Sequence, residues 1–190
     1  MEFYDVIYSR RAIRKYKPDE VPKETLMKIL DAANWAPSGM NLQQWEFIVV
    51  SGEKKKELGE SYGKVAEVYT AGWEDQKSRE KFIHFARTFG GAPVVIVALT
   101  DASNNPSTRK MNLESVSAAL ENLLLAACAE GLGTCWMTGP LQDEAAIRRI
   151  LNISQDKEIV ALTPVGYPDM VAKPPARLDP ELKNKVRWMS

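Results

Sequence analysis

The sequence predicts an α+β fold, on three observations. Strand-like apolar runs, EFIVV (46–50), PVVIVALT (93–100) and EIVALTPVG (158–166), lie between helical stretches of very unequal length, without the regular alternation of an α/β chain. A stretch at about 110–130 is apolar on most of a helix circumference. PVVIVALT lacks polar alternation altogether, the pattern of a strand buried on both faces.

Taken in order, residues 3–10 read as a first short helix. VPKET opens a second, with Pro22 suited to the first helical position. Its Leu26, Ile29, Leu30 and Ala33 follow helical spacing, and the helix stops before Ala36-Pro37. EFIVV is short and rich in β-branched residues, as a strand should be. Residues 53–88 read as helical but irregular, interrupted by Gly59, Gly63 and Gly72. The 110–130 helix carries Val116, Ala119, Leu120, Leu123, Leu124 and Ala127, which makes it a central or subunit-interface helix, and Gly131 ends it. A short helix at 143–151 precedes the last strand, and an irregular tail rich in Pro and Lys follows.

With no repeat or linker, the 190 residues are expected to form a single domain, 1–190, able to bury a core without metals or disulfide staples. Lys and Arg number 25 and so do Asp and Glu, which argues against a nucleic-acid partner. MEFYDVIYSRR has no basic segment followed by an apolar run, so no signal peptide is expected. No apolar stretch reaches the roughly 18 residues that would span a bilayer, so no membrane partner is expected. Two cysteines, Cys128 and Cys135, make no disulfide framework, and the expected location is the reducing cytoplasm.

The available chemistry is narrow. His84 is the one histidine, so neither a Ser-His-Asp nor a Cys-His arrangement can be assembled with it, and no zinc-type ligand spacing exists. Cys128, on the apolar helix, reads as a small buried hydrophobe, and Cys135, in a Gly-rich turn, as the more accessible thiol. GLGTCW (131–136) follows a helix rather than a strand and lacks the third glycine of a dinucleotide fingerprint.

Three stretches stand out. SRRAIRKY (9–16) places Arg10, Arg11 and Arg14 within five positions, either as a solvated basic face or as a site for a multiply charged anion. APSGMNLQQW (36–45) is either an ordinary loop or a set of hydroxyl and amide groups that fix a polar ligand beside an aromatic. GLGTCWMTGP (131–140) is either a helix end and turn or a glycine-opened approach to a ligand.

Together and in this order, these segments resemble the nitroreductase family of FMN-dependent oxidoreductases. SRRAIRKY is similar to the family's N-terminal arginine motif, and APSGMNLQQWEFIVV to its APSxxNxQPWxFIVV segment. GAPVVIVAL resembles its AP-plus-strand element, GLGTCWMTGP the turn over the flavin, and TPVGYPDMVAKPPARL the closing GYP…KP…R stretch. The likeness covers nearly the whole chain and is weakest between about 55 and 90.

The resemblance implies a central mixed sheet surrounded by helices, in an intertwined homodimer with the 110–130 helix at its core. It implies bound FMN, with Arg10, Arg11, Arg14, Arg177 and Lys173 at the phosphate and ribityl end. Pro37, Ser38, Gly39, Asn41 and Gln43 would come from the partner chain. Trp136, Met137, Thr138 and Gly139 would lie along the ring, with the Thr138 N–H meeting flavin N5, where a donor stabilises charge on the reduced ring.

The activity implied is ping-pong reduction of electron-poor acceptors, nitroaromatics or quinones, by NAD(P)H, with no side chain acting as acid or nucleophile and hence no catalytic residue. Relatives with dehalogenating, flavin-fragmenting or azoline-oxidising chemistry, and a non-enzymatic flavin carrier or redox sensor, are the alternatives. Two positions depart from the pattern: Ala12 stands where many members have Ser, and Gln44 where they have Pro.

Overall fold

The structure, a computed structural model, describes residues 2–189. Its helices are α1 (Phe3–Ser9), α2 (Lys23–Asn34), α3 (Gly52–Tyr69), α4 (Gln76–Thr88), α5 (Pro106–Ala129) and α6 (Glu144–Leu151). Its strands are β1 (Trp45–Val50), β2 (Val94–Asp101), β3 (Gly133–Thr134) and β4 (Lys157–Gly166), in the spatial order β1-β2-β4-β3.

The α+β expectation holds, and β2 is buried from Val94 to Thr100 as its unbroken apolar run predicts. Successive β2 side chains serve two cores, since side chains alternate across a strand. Val94, Ile96 and Ala98 pack with α2 and α5, while Val95, Val97 and Leu99 pack beneath α3, α4 and α6. The result is three layers with the sheet in the middle.

The sheet is less mixed than expected. All pairings between named strands are antiparallel, and the parallel component is an isolated bridge between Ala12 and Thr134. The reason lies in the 52–88 region. Instead of one irregular helical stretch, α3 and α4 form a hairpin broken at 70–75, which returns the chain so that β2 runs antiparallel to β1.

The glycines that made this region look irregular are contact points. A Cβ on Gly59 would fall 2.0 Å from the Arg87 carbonyl oxygen, and one on Gly63 would fall 2.4 Å from Arg87 Cγ, so both let the two helices close together. Gly72 alone belongs to the break, with open space around it.

Helix boundaries follow their caps. Pro22 is the N-cap of α2 and not its first residue, with extended ψ of 141°. The long helix starts at Pro106, earlier than expected, because the Asn105 side chain accepts from the amides of Ser107 and Thr108, both at 3.0 Å. Gly131 ends α5 at φ 77°, as predicted.

Candidate functional site

The arginine segment lies beside the 134–139 turn. The Ala12–Thr134 bridge is parallel, and the Ile13 amide donates to the Thr134 carbonyl at 2.9 Å, so the chain from Ile13 to Arg14 runs alongside the approach to Trp136. The tail comes back on the other side. The Lys17 amide donates to the Tyr167 carbonyl and the Asp169 amide to the Lys15 carbonyl, both at 2.9 Å, and Lys15 pairs with Asp169 at 2.6 Å. This carries residues 170–177 past the arginines.

A cleft of about 540 Å³ opens between the two, and Arg10, Arg11, Arg14, Lys173 and Arg177 all line it. Five cations thus share one cleft, although 163 residues separate the first motif from the last along the chain (from Arg14 to Arg177). Among the described residues one carboxylate pairs with them, Glu121, 3.8 Å from Arg10 Nε. Arg11 Nη1 donates to the carbonyls of Tyr8 and Arg10, both at 2.7 Å, while its Nε is shut off from water without a partner. Such a cluster suits a dianionic group with several acceptor oxygens.

Along the turn, side chains alternate. Trp136 and Thr138 are exposed, whereas Met137 is buried in the core and exchanges backbone hydrogen bonds with Leu162 at 3.1 and 3.0 Å. Met137 therefore can line a ligand only with its backbone. Thr138 accepts at its carbonyl from the Leu141 amide at 3.0 Å, and among the described residues its own amide donates to no backbone carbonyl. Gly139 packs under Tyr62: a Cβ there would meet Tyr62 Oη at 2.9 Å.

The two cysteines are placed opposite to expectation. Cys135 is 3% exposed, on the inward face beneath the turn, and burial pushes its thiol above the ordinary value against the opposing pull of Arg14 and Arg10. Cys128 is half-buried and lines a second cleft with Ser9, Arg10 and Arg11. A Gly-rich turn reads as open in sequence, but here the alternation set by neighbouring β4 turns Cys135 inward. His84 is exposed on α4, away from the arginine cleft.

The 37–43 loop is braced at strained backbone. Met40, Asn41 and Gln43 have φ of 53°, 55° and 51°, a region that side-chain-bearing residues seldom adopt. Ser38 Oγ accepts from the Gln43 amide at 3.0 Å, Gln43 Nε2 donates to Asn41 Oδ1 at 3.0 Å, and the Gly39 amide donates to Ser115 Oγ at 3.2 Å. A proline at 44 would push residue 43 toward extended backbone, so Gln44 permits the turn seen at Gln43. Within this chain the loop does not join the arginine cleft: Pro37, Ser38 and Gly39 line a separate hollow of about 270 Å³ against α5.

Sequence reasoning missed an aromatic group at the α3–α4 hairpin, formed by Tyr62, Tyr69, Trp73 and Phe82 around a cavity of about 340 Å³. A signal was present, since Tyr62, Ala66 and Tyr69 share one helical face, but Gly63 within it and Gly59 and Gly72 on either side masked it.

Comparison with known proteins agrees with this arrangement. The profile of the nitroreductase family matches residues 7–167. A Methanothermobacter thermautotrophicus protein provisionally named NADH dehydrogenase/NAD(P)H nitroreductase is 34% identical, over 99% of this chain and 88% of its own. The iodotyrosine deiodinase of Thermotoga neapolitana is 33% identical, over 87% of this chain and 88% of its own. Among solved structures, an iodotyrosine deiodinase bound to FMN and 3-iodo-L-tyrosine superimposes with a TM-score of 0.80 at 26% identity, covering 100% of both chains. The match spans the arginine segment, the loop, the turn and the whole sheet, and the chain belongs to the nitroreductase family.

Proposed function

We propose that the protein is an FMN-dependent oxidoreductase that uses NAD(P)H to reduce electron-poor acceptors such as nitroaromatics and quinones. The observation that carries this reading is the five-cation cleft, lined by the segment whose Ala12 and Ile13 pair with Thr134 at the start of the 134–139 turn, in a chain of this family. The residues fit the cofactor. A phosphomonoester brings a charge of nearly −2, which offsets the mutual repulsion of Arg10, Arg11, Arg14, Lys173 and Arg177. The partnerless Arg11 Nε is a further donor in the same cluster.

In this reading those five side chains hold the phosphate end. Trp136, Thr138, Gly139 and the Met137 backbone support the ring, and the Thr138 N–H is directed at N5. When bound, FMN supplies a two-electron carrier between the nicotinamide donor and the acceptor, which use one site in turn. The chain's own part is binding, orientation and exclusion of water, and no side chain is assigned a proton-transfer role.

In this reading Pro37, Ser38, Gly39, Asn41 and Gln43 reach the site from a second copy; in their own chain none of them lines the arginine cleft, Pro37, Ser38 and Gly39 facing one hollow and Gln43 another. Support for a homodimer comes from apolar side chains left in water: Tyr4 and Tyr8 on α1, Trp35 and Met40 near the loop, and Leu178 and Trp188 in the tail. Among the described residues no helix is long and apolar enough to cross a membrane, and a cytoplasmic location is proposed. Reductive dehalogenation of an aromatic amino acid is a second reading, supported by the Thermotoga relative.

The test is direct. Purified protein should be yellow, sediment as a dimer with about one FMN per chain, and oxidise NADH or NADPH when menadione is added. A colourless protein that takes up no FMN overturns the reading, and a flavin-loaded protein without turnover makes it a carrier.

A further inference from the structure

Beside the turn lies the cavity of about 340 Å³ between α3, α4 and residues 139–142. Its walls are Tyr62, Tyr69, Trp73 and Phe82, with Gly139 and Gln142 on the side of the turn. Tyr69, Trp73 and Phe82 touch one another, with ring centroids 5.6–6.1 Å apart, in tilted and edge-on geometry. A cluster serving only to pack the hairpin would close on itself. Here Tyr69 stays 60% exposed and Trp73 40% exposed, around open space. The break at 70–75 causes this: it ends α3 just after Tyr69 and swings Trp73 across the mouth, with the Trp73 amide donating to the Thr70 carbonyl at 3.0 Å.

The cavity is chemically one-sided. Its polar side-chain groups are the Tyr62 and Tyr69 hydroxyls, the Trp73 indole N–H and the Gln142 amide, all neutral, and no charged side chain lines it. On that side the cavity adjoins the proposed ring site, because Gly139 belongs to both and Arg14 is near enough to pull on the Tyr62 phenol, which burial pushes up.

We propose that this cavity receives the electron acceptor and selects flat, uncharged aromatic molecules of one or two rings. The proposal rests on the flavin reading above and deepens it. The volume sits at the low end of the roughly 300–1,000 Å³ typical of small-molecule sites, which limits the ring count. Aromatic walls favour a planar guest, and Tyr62 or Gln142 can donate to a nitro or quinone oxygen. A carboxylate or an amino-acid zwitterion would lose water here without gaining a counter-charge, and is disfavoured. The cavity therefore favours neutral nitroaromatics or quinones over iodotyrosine.

The experiment uses the FMN-loaded protein with three acceptors: ferricyanide, which needs no aromatic pocket, neutral 4-nitrobenzyl alcohol, and anionic 4-nitrobenzoate. Wild-type KM should be about tenfold lower for the alcohol than for the acid. Trp73→Ala should raise the alcohol's KM about tenfold with kcat within about threefold, and Trp73→Phe should restore most of the loss. Quenching of tryptophan emission by 4-nitrobenzyl alcohol, without donor, should weaken in parallel in Trp73→Ala. Wild-type protein that reduces no ferricyanide sinks the flavin reading. Ferricyanide reduction combined with an unmoved KM in Trp73→Ala, or with a preference for 4-nitrobenzoate or 3-iodo-L-tyrosine, sinks the pocket alone. A Trp73→Ala protein that dissociates to monomers while its KM holds makes the patch a subunit contact, which also overturns the proposal.

Discussion

The side-chain amides of Gln44 and Asn112 meet in a site nearly closed to water, Gln44 Nε2 donating to Asn112 Oδ1 at 2.8 Å. Asn112 Nδ2 goes on to the Asp101 carbonyl at 2.8 Å, and Thr100 Oγ1 donates to the Gln44 carbonyl at 3.3 Å. The pair ties the start of β1, and with it the strained 37–43 loop, to α5 and the end of β2. Gln44 Oε1 already lacks a partner, so little slack remains. Asn112→Ala leaves the Gln44 amide and the Asp101 carbonyl unpaired, and should destabilise the fold by about 1–3 kcal/mol in urea unfolding. Proline at 44 should also loosen the loop, visible as faster backbone amide exchange at 40–43.

The arginine cleft makes a prediction specific to phosphate. Arg14→Ala and Arg177→Ala should each weaken FMN binding by about 1.5–3 kcal/mol, roughly tenfold to a hundredfold, and should hardly alter riboflavin binding. Arg→Lys at either position should recover only part of this, because a bidentate fork becomes a point charge. Flavin fluorescence titration measures both ligands, and equal losses for the two would move these arginines off the phosphate.

Gly59 and Gly72 should respond oppositely to alanine. At Gly59 the new Cβ would meet the Arg87 carbonyl oxygen at 2.0 Å, so α3 and α4 must separate, at a cost of about 1–3 kcal/mol or more. At Gly72 nothing lies within 4 Å, and the change should be neutral or stabilising by up to about 1 kcal/mol. Thermal unfolding of the two variants separates a contact glycine from a turn glycine.

Buried acids predict loss of stability at high pH. Burial raises the pKa of Tyr16, Tyr62 and Cys135 in the folded protein, while the unfolded chain ionises near the ordinary values of roughly 8.5 for a thiol and 10 for a phenol. Protons are thus held more tightly in the folded state. The stabilisation is complete below those ordinary values and falls as pH rises past them, by up to about 1.4 kcal/mol per pH unit for each group. Tyr16 is the most strongly shifted, and its hydroxyl donates to the Ile13 carbonyl at 2.6 Å. Tyr16→Phe should therefore be less stable than wild type at pH 7, with the gap shrinking above about pH 10. A gap that stays constant up to pH 11 would show that Tyr16 does not carry the effect.

Local spacing along the chain was enough to read most of the elements and the chemistry available. Unbroken apolar runs placed β2 and β4, helical spacing placed α2 and a nearly all-apolar circumference placed α5, each to within a few residues, and Gly131 marked the helix end it occupies. These signals are legible because they depend on neighbours one to four residues away. The five motifs in order pointed to the family before any contact was known. Tertiary structure alone decided whatever depends on groups far apart in the chain. It turned Gly59 and Gly63 from apparent breaks into contacts with Arg87, twenty-odd residues on, and so made a hairpin of one irregular stretch. It buried Cys135 and left Cys128 half open, because pairing next to β4 fixes which side chains face inward. It gathered Arg14 and Arg177 into one cleft while sending Pro37, Ser38 and Gly39 to another, since a charge cluster is assembled by the path of the chain through space and leaves no trace in local spacing.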